Sequence, residues 1–341
     1  MIQIPKIDIL LASYNGEKYI AEQIESILSQ TFTDWRLLIR DDGSSDNTPA
    51  IIESYAEKYP GKIEVVHDDK GGGNFVKNFF ELLGHAEADY VMFCDQDDVW
   101  LPYKIQITYD YMKRAERENP EKPVLVFTGL QVVDSELKSM DRLMALDFPE
   151  RRYTFKELIL GNCATGCTEM LNRKCYKGMG GFREGIKYHD WWAALYAAAF
   201  GAIVRVPMAL ILYRQHGNNT IGANENRDIK RGFAHYLNKI WQYTCHPLHK
   251  IIDRITCMKD LIKTVQESHH NFSSMHNGTI PPERLNDLDE ISELFAKSIF
   301  TRIKALRKCS KLYYISHGYT MSSTISRILW VILAGRKQNV K

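Results

Sequence analysis

Apolar and polar residues along the first 130 positions follow two rhythms in turn, one suited to a strand and one to a helix. Ile7 to Ala12 is a short apolar run ending at Ser13-Tyr14-Asn15-Gly16, a turn; from Glu17 to Gln30 the residues Ile20, Ile24, Ile27 and Leu28 then recur at helical spacing. Arg36 to Arg40 followed by Asn47 to Tyr59 repeats the unit, with Ser45 or Asp46 as the helix cap and Pro49 in the first turn. Lys62 to His67 followed by Asn74 to Leu83 makes a third, and the intervening Gly71-Gly72-Gly73 permits a ligand to approach the backbone closely. Tyr90 to Cys94 is a fourth strand. This alternation predicts an α/β fold with a mostly parallel sheet covered by helices on both faces.

After Asp98 the rhythm loosens. Val124 to Val133 reads as a strand, Thr154 to Leu160 as helical, Thr165 to Leu171 as a further strand, and Asp190 to Phe200 as an alanine-rich helix that Asp190 itself caps. Ala202 to Val206 and Ala209 to Tyr213 read as two strands. Beyond Asn226 strand signals fade, and the segments 227–243, 247–268 and 283 to about 315 carry helical periodicity. The expected organisation is an α/β domain over 1–225 and a helical appendage over 226–341; no internal repeat is evident.

Composition narrows the class. Hydrophobic content of 45% and charged content of 25% fit a soluble globular chain rather than a disordered one. The net charge of +2 conceals an asymmetry: from Ile299 onward nine basic residues stand without an acid, leaving 35 of the 44 basic residues against all 42 acids, a net −7, before it. Seven cysteines, an odd number without a Cys-x-x-Cys pair, suit reduced thiols in a cytoplasmic setting. The N-terminus runs straight into the first strand and is not expected to be a signal peptide. Even Ile325 to Gly335 falls short of the ~20 apolar residues of a membrane span and contains Arg327.

The chemistry sits at the strand ends. Asp41-Asp42 follows Leu37-Leu38-Ile39, and Asp95-Gln96-Asp97-Asp98 follows Tyr90-Val91-Met92-Phe93, so each acidic pair or cluster lies where a buried strand ends. Ligands of open α/β sheets bind at such ends. Carboxylates this close repel one another unless a divalent cation or hydrogen-bond donors offset their charge, so a cation site facing a nucleotide site is expected. A third acidic point, His189-Asp190, opens the later helix.

Residues 8–48, DILLASYNGEKYIAEQIESILSQTFTDWRLLIRDDGSSDNT, with CDQDDVW at 94–100, resemble the inverting glycosyltransferases of family 2, which have the GT-A fold. The likeness runs from about Ile7 to Gly222. YHDWW at 188–192 and LYRQHGNNTIG at 212–222 resemble, more narrowly, the rhamnosyltransferases that build bacterial cell-wall and capsular polysaccharides.

The resemblance implies roles, each with a plain structural alternative. Asp42, with Asp41, receives the pyrimidine base, because a carboxylate accepts from the ring N–H; Ser13 and Tyr14 belong to the same nucleotide site, Tyr14 stacking or edging against the base. Alone, Asp41 to Asp46 is also an ordinary polar turn. Asp95 or Asp97 contacts the ribose, and Asp97 or Asp98 binds Mg²⁺ or Mn²⁺ against the diphosphate; otherwise this is a solvated acidic loop. Asp190 is the general base that takes the acceptor hydroxyl's proton, and its place at a helix N-terminus is expected to lower its pKa; helix capping is the alternative. Of Trp191 and Trp192, one packs in the core and the other stacks on the acceptor sugar. His216 completes the metal shell or touches the diphosphate, or is a loop histidine satisfied by backbone. Arg214 offsets diphosphate charge or lies at the surface. Asn78 faces the nucleotide, and Lys77 beside it is solvated.

The expected reaction is inverting transfer of a sugar, rhamnose from dTDP-rhamnose first, to a lipid-linked cell-surface glycan; a UDP-hexose or UDP-N-acetylhexosamine donor is the alternative. The basic amphipathic tail suits peripheral contact with the anionic inner membrane face, each cation contributing about 1 kcal/mol, or else a helical bundle or oligomer contact; no nucleic-acid motif accompanies it. A sugar nucleotidyltransferase would carry a glycine-rich basic signature near the first strand, where Ala12-Ser13-Tyr14-Asn15-Gly16-Glu17 stands instead. A non-catalytic sugar- or membrane-binding module would not need the full acidic set.

Overall fold

Alternate residues of the apolar strands face opposite helix layers, and both layers exclude water. In the computed structural model, Leu10, Leu38, Val91 and Phe93 enter one core, while Ile9, Leu11, Leu37, Ile39 and Met92 enter the other, all at 0% exposure. Strands covered on both faces read as unbroken apolar runs. Each such side chain contributes roughly 1.5–3 kcal/mol through burial. The structure describes residues 6–217 except 69–73, 145–153, 156–157, 159–161, 184–185 and 187. The glycine run 71–73, most of the expected helix at 154–160, and the whole appendage with its basic tail lie outside the described residues.

In chain order the elements are β1 (Ile7–Ser13), α1 (Ile20–Leu28), β2 (Trp35–Asp41), α2 (Thr48–Lys58), β3 (Ile63–Val65), α3 (Phe75–His85), β4 (Tyr90–Asp95), β5 (Val99–Trp100), α4 (Lys104–Glu118), β6 (Val124–Val133) and β7 (Ser139–Met144). A 3₁₀ turn (Gly166–Thr168), β8 (Glu169–Asn172), α5 (Arg173–Gly178), α6 (His189–Phe200) and β9 (Ala202–Arg214) complete them. Among the described residues the strands form one nine-stranded sheet, ordered β3-β2-β1-β4-β8-β6-β9-β5, with β7 paired to β6. The β3-β2-β1-β4 half is parallel, β6 and β9 are parallel, and β8 runs antiparallel to both β4 and β6.

Four local expectations change, the first being that Asn47, not Ser45 or Asp46, holds the cap position of α2. The strand expected from Thr165 begins as a 3₁₀ turn and becomes extended only at Glu169. The two strands expected over 202–213 are one, β9, whose pairing with β6 shifts register around Thr128 and Gly129, opposite Pro207 and Met208; proline cannot donate to a ladder, so an irregularity absorbs it. Helix α6 starts one residue early, at His189, so Asp190 lies within its first turn and Tyr188 holds the cap position. No helix among the described residues is long and apolar enough to cross a membrane.

What this fold does for function is set by register. Ser13 pairs with Asp41, and Ala12 pairs with Asp95, so the acids that end β2 and β4 stand on either side of the end of β1. Helix α6 reaches the same edge because its small residues let it sit deep: Ala193, Ala194, Ala197, Ala198 and Ala199 are all buried. A Cβ on Gly178 of α5 would lie 2.0 Å from the Tyr196 hydroxyl, so only glycine permits this approach of the two helices.

Candidate active site

One side of the candidate site is built on the turn after β2. Asp41 organises it: Oδ2 accepts from the Gly43 and Ser44 amides at 3.1 and 2.7 Å, and Oδ1 accepts from the Ser13 and Ser44 hydroxyls at 3.0 and 2.6 Å. Gly43 has φ of 86°, a conformation open to glycine at no steric cost. Asp42 is nearly buried; its Oδ1 accepts from Arg40 at 3.2 Å and its Oδ2 from the Asn74 amide at 3.1 Å. Arg40, 2% exposed, also donates twice to Asp68. Asn78 does not face a ligand as expected. It is 2% exposed, accepts from Arg40 Nη1 at 3.1 Å and donates to the Arg40 carbonyl at 3.2 Å, and so braces the arginine that holds Asp42. Tyr14, the residue after β1, is 55% exposed.

Gln96, which sequence reasoning passed over between its acidic neighbours, ties the two strand ends together. Its Oε1 accepts from the Tyr14 amide and its Nε2 donates to the Tyr14 carbonyl, both at 2.9 Å. A Cβ at residue 16 would lie 2.2 Å from Gln96 Oε1, which explains the glycine there.

The acids after β4 divide into two environments. Asp97 is partly open, and its Oδ2 lies 2.8 Å from His216 Nε2. Asp98 is sealed at 0% exposure, and its Oδ1 accepts from the Arg214 amide at 3.1 Å. Burial, then the charges of Asp97 and Asp95, push the Asp98 carboxyl well up. Asp95 rises for the same first reason, followed by the charges of Asp97 and Asp190. Asp95, Asp98 and Cys167 place potential ligand atoms within 4.8 Å of one another. Burial, reinforced by the two acids, pushes the Cys167 thiol up. Behind them the fully buried Lys104 ammonium sits 3.7 Å from the Trp100 ring centre, and burial pulls its pKa down to about 7.

Arg214 is not available to a diphosphate. It is 2% exposed, donates to the Asp97 and Ser135 carbonyls at 2.8 Å each, pairs with Glu22 and lies over the Tyr19 ring, against which His216 also packs. The latch fixes the end of β9, and with it His216, against Asp97.

Asp190 comes to this edge from α6, near enough for its charge to raise Asp95. Its Oδ1 accepts from the Trp191 amide at 2.6 Å and its Oδ2 from the Gly166 amide at 3.2 Å. The expected lowering of its pKa is reversed: burial pushes it up to about 6, against those amide bonds. Desolvation here exceeds what the helix end supplies. His189 beside it is held neutral, burial taking its pKa down to about 3. Neither tryptophan offers a face to an acceptor. Both are buried in the core, with indole N–H groups donating to the Leu158 and Met179 carbonyls at 2.6 and 3.0 Å. A buried indole needs such a partner, and both found theirs inside.

Comparisons with known proteins identify the family and the fold. Residues 8–177 match the profile of Glycosyl transferase family 2. The chain is 30% identical over 230 residues to "dTDP-rhamnosyl transferase RfbG" of Shigella flexneri, covering 63% of this chain and 74% of that one. It is also 30% identical over 172 residues to "Putative teichuronic acid biosynthesis glycosyltransferase TuaG" of Bacillus subtilis, covering 50% and 63%. Among solved structures, S. aureus TarS 1–349 in complex with UDP-GlcNAc has a TM-score of 0.53 at 16% identity, over 98% of this chain and 92% of that one. The mannosyltransferase PcManGT from Pyrobaculum calidifontis, in complex with GDP-Man and Mn²⁺, has a TM-score of 0.50 at 15% identity, over 99% and 88%. At those identities the likeness speaks for the fold, which is the GT-A fold that the sequence motifs imply. The strand order, the acids along its edge and the relatives found together place this chain in glycosyl transferase family 2.

Proposed function

We propose that the protein transfers a sugar with inversion from a nucleoside-diphosphate donor, rhamnose from dTDP-rhamnose being the first choice, to a lipid-linked glycan. The observation that carries this reading is the end of β1, which the register flanks with Asp41 and Asp42 after β2 on one side and, on the other, Asp95 with Asp97 and Asp190 near enough to raise its pKa. The likeness to a dTDP-rhamnosyl transferase supports the donor; a UDP-hexose or UDP-N-acetylhexosamine is the second choice, supported by the fold shared with an enzyme solved with UDP-GlcNAc.

The residues fit a divalent cation. Asp97, partly open, lies 2.8 Å from His216, and Asp95 places a ligand atom within 4.8 Å of Asp98 and Cys167, so carboxylate oxygens and an imidazole suited to Mg²⁺ or Mn²⁺ stand at the end of β4. The cation, when bound, offsets charge on the departing nucleoside diphosphate. Asp98 serves instead as a buried anchor for β9. Asp42 accepts from the base, Tyr14 covers it, and Ser13 and Asp41 shape the turn around them. Asp190 takes the acceptor hydroxyl's proton as that oxygen bonds to the anomeric carbon and the bond to the diphosphate breaks on the opposite face.

Incubation with a panel of nucleotide sugars and lipid-linked acceptor tests the reading: metal-dependent release of nucleoside diphosphate, largest with dTDP-rhamnose, is expected. Release of pyrophosphate from a nucleoside triphosphate would instead mark a nucleotidyltransferase, and no turnover a binding module. The base assignment adds a pH dependence. Because Asp190 must be ionised and its pKa is raised to about 6, kcat/KM should fall by about tenfold per pH unit below that value. A profile flat to about pH 5 would remove Asp190 from this role.

We place the enzyme in the cytoplasm at the inner face of the membrane, where the acceptor resides, on the strength of the nine cations after Ile299. Cosedimentation with anionic vesicles should weaken steeply with salt and be lost on charge reversal at Lys304, Arg307, Lys308 and Lys311. Equal binding to neutral vesicles would contradict it.

A further inference from the structure

We propose that the turn Thr165–Thr168 sets the spacing between the base and the donor acids, and that Gly166 within it is a positioning residue for Asp190. This rests on the reading of Asp190 as the base. Two consecutive residues of the turn reach the two halves of the site. The Gly166 amide donates to Asp190 Oδ2 at 3.2 Å. Cys167, 0% exposed, lies with its sulfur within 4.8 Å of ligand atoms of Asp95 and Asp98.

The turn itself is locked. Thr168 donates to the Thr165 carbonyl from both its amide, at 2.8 Å, and its hydroxyl, at 2.6 Å. It leads directly into β8, which is hydrogen-bonded between β4 and β6. On the sheet side, therefore, the turn has little room to move.

On the helix side only glycine fits. A Cβ on residue 166 would lie 2.8 Å from His189 Nε2, 3.4 Å from His189 Cε1 and 3.3 Å from Asp190 Cβ. The imidazole cannot easily retreat. It stacks on Phe79 at 3.8 Å between ring centres and meets the Phe93 ring edge-on at 4.6 Å. It is 5% exposed, and among the described residues neither nitrogen has a hydrogen-bond partner, so aromatic packing holds it in place. His189 is in this way a wedge between the aromatic core and the turn, and Asp190 is the next residue along. A methyl group at 166 would push on both, and with the sheet side fixed the start of α6 is what gives. A displacement on the order of 1 Å at a catalytic group can cost about 10² in rate.

The test measures kcat, donor affinity by calorimetry and thermal stability for Gly166→Ala, His189→Ala and the double variant, with Asp190→Asn alongside. Gly166→Ala should lower kcat by about 30-fold or more, with donor affinity within about threefold of wild type. The double variant should recover most of that loss, because removing the imidazole opens the space a Cβ needs. Should Gly166→Ala not fold, Thr168→Val loosens the turn without a clash and should lower kcat by about 3- to 10-fold at unchanged donor affinity. Full turnover by Gly166→Ala would overturn the proposal. So would parallel losses of kcat, donor affinity and stability that His189→Ala does not relieve, or full turnover by Thr168→Val where it carries the test. If Asp190→Asn keeps its turnover, the base assignment fails; if only Gly166→Ala does, the positioning role alone fails.

Discussion

Asp190→Asn should lower transfer by roughly 10² or more while the donor binds with nearly unchanged affinity. Asparagine keeps the size of the side chain, and its single carbonyl can still accept from the Trp191 or Gly166 amide that now holds the carboxylate. What it cannot do is take a proton from the acceptor hydroxyl. A 10²-fold loss corresponds to about 2.7 kcal/mol of barrier, the scale of one general base. The acid limb near pH 6 should vanish with it, since the group that titrates is gone. Calorimetry and a transfer assay on the same protein decide the matter: lost donor affinity with turnover preserved at saturation would make Asp190 a donor-binding residue instead.

Asp97→Asn should also remove most activity, by about 10² or more, but through a different quantity. Asp97 is the partly open acid, placed 2.8 Å from His216, and its charge is what a cation between protein and diphosphate would meet. Its loss should raise the metal concentration needed for half-maximal rate and weaken metal-dependent donor binding, whereas Asp190→Asn should leave both alone. Glu118→Gln, at the exposed end of α4, is the control and should behave as wild type. Wild-type turnover by Asp97→Asn, or full turnover in excess EDTA, would rule out the cation's role.

The sheet's parallel half was legible because β1, β2 and β4 are buried on both faces and so read as bare apolar runs with acids at their ends. The candidate site was legible where local chemistry marks it: paired acids after a strand, and a carboxylate opening a helix. It was illegible where a role depends on a partner distant in sequence. Gln96 is a clamp only because Tyr14, 82 residues away, stands across the strand ends. Arg214 and Asn78 looked like ligand-facing polar residues, yet one closes on Glu22 and the Asp97 carbonyl and the other on Arg40. Trp191 and Trp192 could not be told apart as core or surface until carbonyls of Leu158 and Met179 were seen to take both indoles. Gly166 and Cys167 carry no signal at all without the fold. The sign of the Asp190 shift went astray for a related reason: helix position is local, but desolvation depends on everything packed around the group.

The most direct measurement is the configuration of the anomeric carbon in the product. If an acceptor oxygen activated by Asp190 displaces the diphosphate in one step, the sugar must be attached with configuration opposite to that in the donor, with no covalent sugar–enzyme species at any time. The anomeric carbon–proton coupling of the transferred residue, read by NMR on product formed from the best donor of the panel, reports this. Inversion is the expected result. A product that retains the donor's configuration, or a sugar trapped on the protein, would contradict single displacement and with it the role assigned to Asp190.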